Sequence, residues 1–187
     1  MDYGINNPSG FTTAGFNADG HYANLTMFNG KYKLVPRGPY FYQDTVIVDV
    51  KGNLSVDLPV VPFVDVQLTV SAFTSTSITV QVNAKRNPNA DVIMPQKIAS
   101  VVAILGTTNG VNYNNYHIVN NNTSAYRYVK NTKDVTNEQI ASENYTHTFN
   151  DLQPGTTYFL RGASLVSTNN PSNYYNYSKL LEVKTSD

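Results

Sequence analysis

The chain has 187 residues and 13 basic and 13 acidic side chains, so its formal net charge is zero. Nucleic acid requires a basic protein face, and a neutral chain with 14% charged residues therefore argues against nucleic-acid binding. The sequence contains no cysteine, which excludes disulfides, thiolate zinc sites and cysteine nucleophiles. Asn, Thr and Ser must supply the surface polarity. Together with 14 tyrosines, this composition is typical of extracellular β-proteins and of proteins that contact sugars.

The front of the chain is predicted to form two hairpins with turns at Asn29-Gly30 and Lys51-Gly52. Apolar residues alternate there with period two, which is the pattern of half-buried strands. The predicted strands are 21–28, 31–36, 44–50 and 53–60. Pro59 and Pro62 then bracket a short hinge. We place a domain boundary there, which divides the chain into residues 1–62 and 63–187.

The second part is predicted to be a β-sandwich of immunoglobulin type, because it contains about six short strands in about 120 residues. These strands are 64–72, 77–85, 97–106, 145–152, 156–167 and 179–185. A loop of low complexity occupies 107–128. Only 134–144 is predicted to contain a helical turn, with Thr136 as its N-cap and Gln139 as the capping-box partner.

The stretch DLQPGTTYFLRGAS, residues 151–164, contains the clearest local motif. Leu152, Pro154, Gly155, Thr156 and Tyr158 match the Leu-x-Pro-Gly-Thr-x-Tyr pattern of fibronectin type III domains, which this part of the chain resembles. Pro154-Gly155 is predicted to form a tight turn between two strands, and Leu152 to cover the edge of the core. Tyr158 is predicted to form a tyrosine corner, with its hydroxyl bonded to backbone a few residues upstream. These residues are therefore assigned structural roles.

The segment FNADGHYANLTMFNGKYKLVPRGPYFYQDTVIVDVKGNLSVDLPVVPF, residues 16–63, resembles the N-terminal domain of a Bacteroidetes surface lipoprotein family of unknown function. The C-terminal segment YNYSKLLEV, residues 175–183, resembles the last strand of that family, whereas 86–145 match it poorly. Members join a prealbumin-like domain to a fibronectin type III or immunoglobulin-like domain. The resemblance therefore implies an all-β chain in which a partial prealbumin-like sandwich precedes a fibronectin type III/immunoglobulin-like sandwich.

The resemblance also implies a cellular context. Genes of this family lie beside Sus-type (starch-utilisation-system-like) outer-membrane transporters and their glycan-binding lipoproteins. Family members begin with a lipoprotein signal peptide, an acylated cysteine and additional strands, whereas this chain opens with MDYGINNPSG. We therefore expect a shortened front. In the full-length protein, a lipid anchor absent from this chain would provide the only membrane attachment, at the outer membrane on its surface-exposed or periplasmic side.

No motif in the sequence indicates catalysis. The three histidines, His21, His117 and His147, have no metal-ligand spacing, and neither a G-x-S-x-G elbow nor a P-loop occurs. His21 and His147 lie in strand patterns and are predicted to be solvent-facing or hydrogen-bonded. We therefore expect a protein that is not an enzyme and that uses no metal and no cofactor.

Two tyrosine-rich segments have the composition of a sugar site, in which exposed rings meet the apolar faces of the sugar and amides bond its hydroxyls. The first segment is the loop 107–128, which also holds His117, Tyr126 and Tyr128 among seven asparagines. The second is 174–177, with Tyr177 predicted to pack at the base of the last strand and Tyr175 to be more exposed. The alternative is that Tyr177 packs at the start of the last strand while the other tyrosines only cover loop backbone. The residues predicted to bind a ligand are Tyr113, Tyr116, Tyr174 and Tyr175.

The sequence thus predicts a non-catalytic surface lipoprotein that is accessory to glycan capture by a Sus-type uptake system. Its partners would be a polysaccharide or oligosaccharide, and the outer-membrane transporter with its glycan-binding lipoprotein. One alternative is a structural spacer or docking subunit of the transporter complex. Another is an adhesin or pilus-like module that binds protein by strand addition.

Overall fold

A computed structural model describes residues 20–23, 27–36, 38–41, 45–88, 97–119, 124–166 and 175–187. Within these ranges the protein consists of antiparallel β-sheets and one short helix, which confirms the predicted all-β class. The strands are β1 (Gly30–Leu34), β2 (Val46–Val50), β3 (Val64–Phe73), β4 (Ile78–Arg86), β5 (Ile98–Gly106), β6 (Arg127–Asn131), β7 (Tyr145–Phe149), β8 (Thr157–Val166), β9 (Tyr175–Tyr177) and β10 (Leu181–Lys184), and helix α1 spans Asn137–Ser142. No helix in these ranges is both long enough and apolar enough to span a membrane.

Two sheets form the sandwich. One has the strand order β3-β4-β7 and the other the order β10-β8-β5-β6. The short strand β9 also pairs with β8, beside Ala163–Leu165, whereas β10 pairs beside Thr157–Leu160. Strands β9 and β10 therefore follow each other along the same edge of β8. This arrangement of antiparallel strands in two packed layers is that of an immunoglobulin-like sandwich.

The main core lies between the two sheets. Gly162 on β8 lets them approach closely, because a Cβ added there would lie 3.1 Å from Val82, 3.2 Å from Val66 and 3.3 Å from Leu68. All nine residues of β5 are buried, whereas an ordinary sandwich strand alternates between buried and exposed residues. The outer face of this sheet must therefore be covered as well.

The hairpins predicted for the front of the chain are wrong. Strand β1 pairs with β2, from Gly30 opposite Val50 to Leu34 opposite Val46, and residues 53–60 form no strand. The described residues of the predicted first strand, 21–28, form no strand, and 24–26 lie outside the described ranges. The period-two pattern identified strand-forming segments correctly at 31–34 and 46–50, but alternation carries no information about which segment is the partner.

The front of the chain is attached to the sandwich by backbone and side-chain hydrogen bonds. The Phe41 N–H donates to the Val61 carbonyl and the Phe63 N–H to the Pro39 carbonyl, both at 2.9 Å. The Phe41 and Phe63 rings meet edge to face at 5.3 Å, and Phe41 belongs to the main core. The buried Asn176 side chain donates to the Pro39 carbonyl at 2.8 Å. The division of the chain at residue 63 stays a prediction.

The helical turn is confirmed in detail, since the Thr136 hydroxyl accepts from the Gln139 N–H and the Gln139 side chain accepts from the Thr136 N–H. The strands predicted in the second part recur with shifted ends. Two further strands were not predicted: β6 begins at the end of the predicted loop 107–128, and β9 lies just before the predicted last strand. Both are short, and both contain polar residues among their tyrosines, so neither has the apolar alternation by which strands are recognised.

A candidate tyrosine–arginine site

The candidate site lies on the outer face of the β8–β5 sheet. Strand β9 pairs with β8 and turns Asn176 toward the core, where its side chain accepts from the Val64 N–H at 3.2 Å. Tyr175 and Tyr177 point to the opposite side because neighbouring side chains of a strand alternate. Both are half-buried, so the predicted contrast between a buried Tyr177 and a more exposed Tyr175 is not observed. Tyr174 lies outside the described residues.

The loop after β5 is shaped by its own asparagines. The Asn112 side-chain oxygen accepts from the Asn114 and Asn115 N–H groups at 2.9 and 3.0 Å, and the backbones of Asn112 and Asn115 are paired. The Asn112 and Asn115 amides both donate to the Gly110 carbonyl at 3.1 Å. Asparagine commonly stabilises turns in this way. Much of the asparagine content that suggested sugar binding therefore serves to order the loop.

Two contacts attach this loop to the sheet. Val111 is buried against Val102, Ile104 and Ala163, which form the apolar outer face of β5 and β8. The Tyr113 N–H donates to the Tyr177 hydroxyl at 3.2 Å. The loop is thus held at one point by apolar packing and at another by a hydrogen bond to β9.

Four planar side chains then follow one another in contact, and we call them the tyrosine–arginine stack: Tyr175, Tyr113, Arg127 and Tyr116. The Tyr175 and Tyr113 rings are nearly parallel, at an angle of 17° and with centroids 4.2 Å apart. The Arg127 guanidinium carbon lies 4.5 Å from the Tyr113 ring centre and 4.5 Å from that of Tyr116. The Arg127 Nη1 also donates to the Tyr113 carbonyl at 2.9 Å. All four side chains are half-buried.

The stack assigns different positions to the predicted ligand residues. One ring face has no room for both Tyr175 and the Arg127 guanidinium, so these two cover opposite faces of Tyr113. Tyr113 therefore lies between Tyr175 and Arg127, in the interior of the stack. Tyr175 has Tyr177 as a second ring neighbour, 6.3 Å away and tilted by 40°, and Tyr116 also packs against the main core and against the apolar outer face of β5 and β8. Of the predicted residues, the structure thus brings together Tyr113, Tyr116 and Tyr175.

The electrostatics of the site follow from burial and from two arginines. Burial raises the pKa of the Tyr175 hydroxyl well above its usual value, and the hydrogen bond with Tyr113 raises it further, against the opposing charge of Arg127. Burial also raises the pKa of Tyr177, while the Tyr113 N–H and the positive charge of the buried Arg161 lower it. Both hydroxyls are consequently neutral hydrogen-bonding groups at physiological pH.

Sequence reasoning missed Arg127. The residue lies at the start of β6, in a segment predicted to be loop, and follows the buried Tyr126. Its two tyrosine contacts come from residues 11 and 14 positions earlier, and only the fold of the loop brings them beside β6. The only available signal was the position of a lone arginine among the tyrosines of 107–128.

The other aromatic residues of the loop pack elsewhere. Tyr126 and Tyr128 pack in or against the main core, and the His117 ring meets Tyr126 edge to face at 4.6 Å. His147 stacks on Tyr128 at 4.4 Å and 10°. The Nε2 atom of His147 is buried without a hydrogen-bond partner in the described part of the chain, and the side chain is half-buried. His21 is exposed and lies outside any strand.

The residues predicted to be structural have the following positions. Tyr158 is buried, and its hydroxyl accepts from the Gln153 N–H at 2.9 Å, which is the geometry of a tyrosine corner. Leu152 belongs to the main core. Gly155 follows Pro154 in the turn and has a φ of 61°, a conformation that glycine adopts without strain. Across the described ranges, His, Asp and Glu side chains form no group of three or more that would hold a metal ion.

Comparison with known proteins reveals one family. Residues 2–61 match the model of a family described as "Protein of unknown function (DUF3823) N-terminal domain". A DUF3823 family protein from Bacteroides ovatus has a similar structure, with a TM-score of 0.57 and 21% identity over 86% of this chain and 78% of that chain. A second DUF3823 protein, from Parabacteroides merdae, has a TM-score of 0.58 and 20% identity over 84% and 72% of the two chains. No curated protein matches the sequence. The structural similarity supports the fold.

Proposed function

We propose that this protein is a non-catalytic cell-surface lipoprotein module that assists glycan capture by a Sus-type outer-membrane uptake system. The match of residues 2–61 to a DUF3823 domain and the two similar structures from Bacteroides ovatus and Parabacteroides merdae support a bacterial context of this kind. The observation that carries the proposal is the tyrosine–arginine stack, in which aromatic rings and a guanidinium are held together in a half-buried cluster.

The stack has the chemistry of a sugar site. The C–H face of a sugar packs on an aromatic ring, and its hydroxyls accept and donate hydrogen bonds to amide, hydroxyl and guanidinium groups. Arg127 supplies guanidinium donors beside the rings. Because the loop is already ordered by its own hydrogen bonds and by Val111, binding would cost little conformational entropy.

The proposal is tested by titrating a panel of plant, host and microbial oligosaccharides by calorimetry. We expect the Tyr116→Ala/Tyr175→Ala double variant to lose about 1–3 kcal/mol of binding free energy per aromatic ring, by analogy with the stacking of bases on aromatic side chains. Tyr32→Ala removes a tyrosine from β1, outside the site, and should bind like the wild type. Tyr175→Phe keeps the ring and should retain binding. Equal affinities of the double variant and the wild type, or no binding of any glycan, would contradict the proposal.

A second candidate, docking to a protein of the transporter complex, is favoured by a cleft of about 530 Å³ between the ends of two edge strands. Val70–Phe73 of β3 and Glu182–Lys184 of β10 line it, and within the described ranges each strand pairs on one side only. Ser71 lies in the irregularity between Val70 and Ala72 and is skipped by the β3–β4 register. Ser71→Pro would remove the backbone N–H at this irregularity, together with the hydrogen bond from the Ser71 hydroxyl to the Thr79 carbonyl at 3.3 Å.

For this candidate, the measurement is recovery of the outer-membrane transporter with the tagged full-length lipoprotein from detergent-solubilised membranes. We expect Ser71→Pro to reduce recovery, whereas Ser75→Pro, in the turn between β3 and β4, should leave it unchanged. Equal recovery with the two variants would exclude strand addition at this cleft.

A further inference from the structure

We propose that the tyrosine–arginine stack selects acidic glycans, with Arg127 binding the carboxylate of a uronic acid residue. This inference rests on the proposed function and specifies the ligand class of the same site. Three observations support it: the hydrogen-bonding state of Arg127, the charges around it, and the way in which its guanidinium is held.

Arg127 uses few of its donors within the protein. A guanidinium has five N–H donors and no acceptor. Among the described residues, the only hydrogen bond of this side chain is from Nη1 to the Tyr113 carbonyl at 2.9 Å. The two tyrosine rings contact the faces of the guanidinium and accept no conventional hydrogen bond. Most of its donors therefore remain available to a ligand or to water.

The surroundings of the stack are positive. In the part of the chain that the structure describes, the ion pair formed is that of Lys51 with Asp49, so no carboxylate lies within 4.0 Å of the Arg127 guanidinium. The positive charge of Arg127 lowers the pKa of the Tyr175 hydroxyl and that of Arg161 lowers the pKa of the Tyr177 hydroxyl, so both arginines favour an anion nearby. A half-buried cation without a carboxylate beside it is screened less by water and salt than an exposed one.

The guanidinium is also held in position before any ligand binds. The Tyr113 and Tyr116 rings limit its movement out of plane, and the bond to the Tyr113 carbonyl limits its rotation. A planar guanidinium matches a carboxylate by two parallel N–H···O bonds, and such charge-assisted bonds are stronger than those to a neutral hydroxyl. A uronic acid would stack its ring on Tyr116 or Tyr175 and place its carboxylate against Arg127.

The experiment compares matched acidic and neutral probes. Trigalacturonic acid is titrated against its methyl ester, and a β-1,4-linked mannuronic acid trisaccharide against the corresponding mannotriose. We expect at least one acid to bind roughly tenfold or more tightly than its neutral counterpart, and the difference to shrink as salt rises, as charge-assisted binding requires. Arg127→Gln keeps a donor for the Tyr113 carbonyl and removes the charge, so it should abolish the preference. Lys130→Gln removes the same charge from an exposed position of β6 and should leave the preference intact.

If Arg127→Gln fails to fold, Arg127→Lys tests the same point. It retains the positive charge and should keep a reduced preference for the acid. If the wild type binds a neutral glycan of the panel but prefers no acid in either pair, the inference is overturned and the proposed function stands. If Arg127→Gln melts like the wild type yet weakens acid and neutral probe equally, Arg127 only supports the rings, which also overturns the inference. If no glycan binds at all, the proposed function fails with it.

Discussion

The inner and the outer face of the β10-β8-β5-β6 sheet are covered in different ways. The inner face, with Val101, Leu105 and Leu160, packs against the opposite sheet and is essentially inaccessible to water. The outer face, with Val102 and Ile104, is equally dry, but among the described residues its cover consists of the loop after β5, tyrosines of the tyrosine–arginine stack and the side chains of Phe159, Tyr177 and Leu180.

The two covers differ in which side chains they leave in contact with solvent. A sheet that covers another sheet presents aliphatic side chains that are buried completely, and nothing remains for a ligand to contact. Tyrosine and arginine can cover an apolar surface with one part of the side chain and leave a polar part at the solvent. The outer face therefore combines a dry apolar base with half-buried polar and aromatic side chains, whereas the side chains of the inner face are fully buried.

The largest loss of stability is expected from a substitution on the inner face. Leu160→Ala should lower the free energy of unfolding by about 2–5 kcal/mol, because it removes buried methyl groups and leaves a cavity between the sheets. Urea denaturation followed by circular dichroism measures this loss. Val129→Ala, at a side chain that is 43% exposed on β6, serves as the control and should change stability by less than about 0.5 kcal/mol. A loss for Leu160→Ala as small as that of the control would mean that the two sheets are not tightly packed.

A smaller effect is expected on the outer face. Tyr175→Leu keeps an apolar side chain but removes the stacked ring, so it should cost about 1 kcal/mol of unfolding free energy. A double-mutant cycle with Tyr113→Leu should yield a coupling of about 0.5–1.5 kcal/mol, the range expected for an aromatic pair. Strictly additive effects of the two substitutions would show that the rings do not stabilise each other.

The smallest expected change is in the pH dependence of stability. It concerns His147 of β7, which stacks on Tyr128 of β6. Burial lowers the pKa of His147 below the ordinary value of 6.5, so the proton binds the unfolded chain more readily. The contribution of His147 to stability is therefore complete above about pH 6.5, and it is lost as the pH falls from there through the lower folded-state pKa. Burial lowers the pKa of His117 in the same direction, so the wild type combines both contributions.

Urea denaturation at about pH 7.5 and about pH 5 tests this sign, because the two values lie on either side of the ordinary histidine pKa. We expect His147→Phe, which keeps an aromatic ring against Tyr128, to lose less stability on acidification than the wild type. His21→Gln alters an exposed histidine and should behave like the wild type. An unchanged pH dependence in His147→Phe would show that His147 does not sense protonation.

The sequence by itself determined the all-β class, the strands that bury one face, the capped helical turn and the motif around Tyr158. These features depend on local rules: alternation of apolar residues, turn and capping chemistry, and a motif within eight residues of chain. It also indicated that Tyr113, Tyr116 and Tyr175 deserve testing as a group, because their composition matches that of a sugar site.

Only the tertiary structure decided which segments pair and which side chains meet. Strand β1 takes β2 as its partner because strand pairing joins backbone groups distant in sequence, and alternation is the same for a right and a wrong partner. The stack forms because β6 and β9 lie on opposite sides of the β5–β8 pair, while the loop after β5 folds back over its outer face. Arg127 becomes part of the site through that folding, since its contacts with Tyr113 and Tyr116 depend on the path of the loop and leave no periodic signal in the sequence.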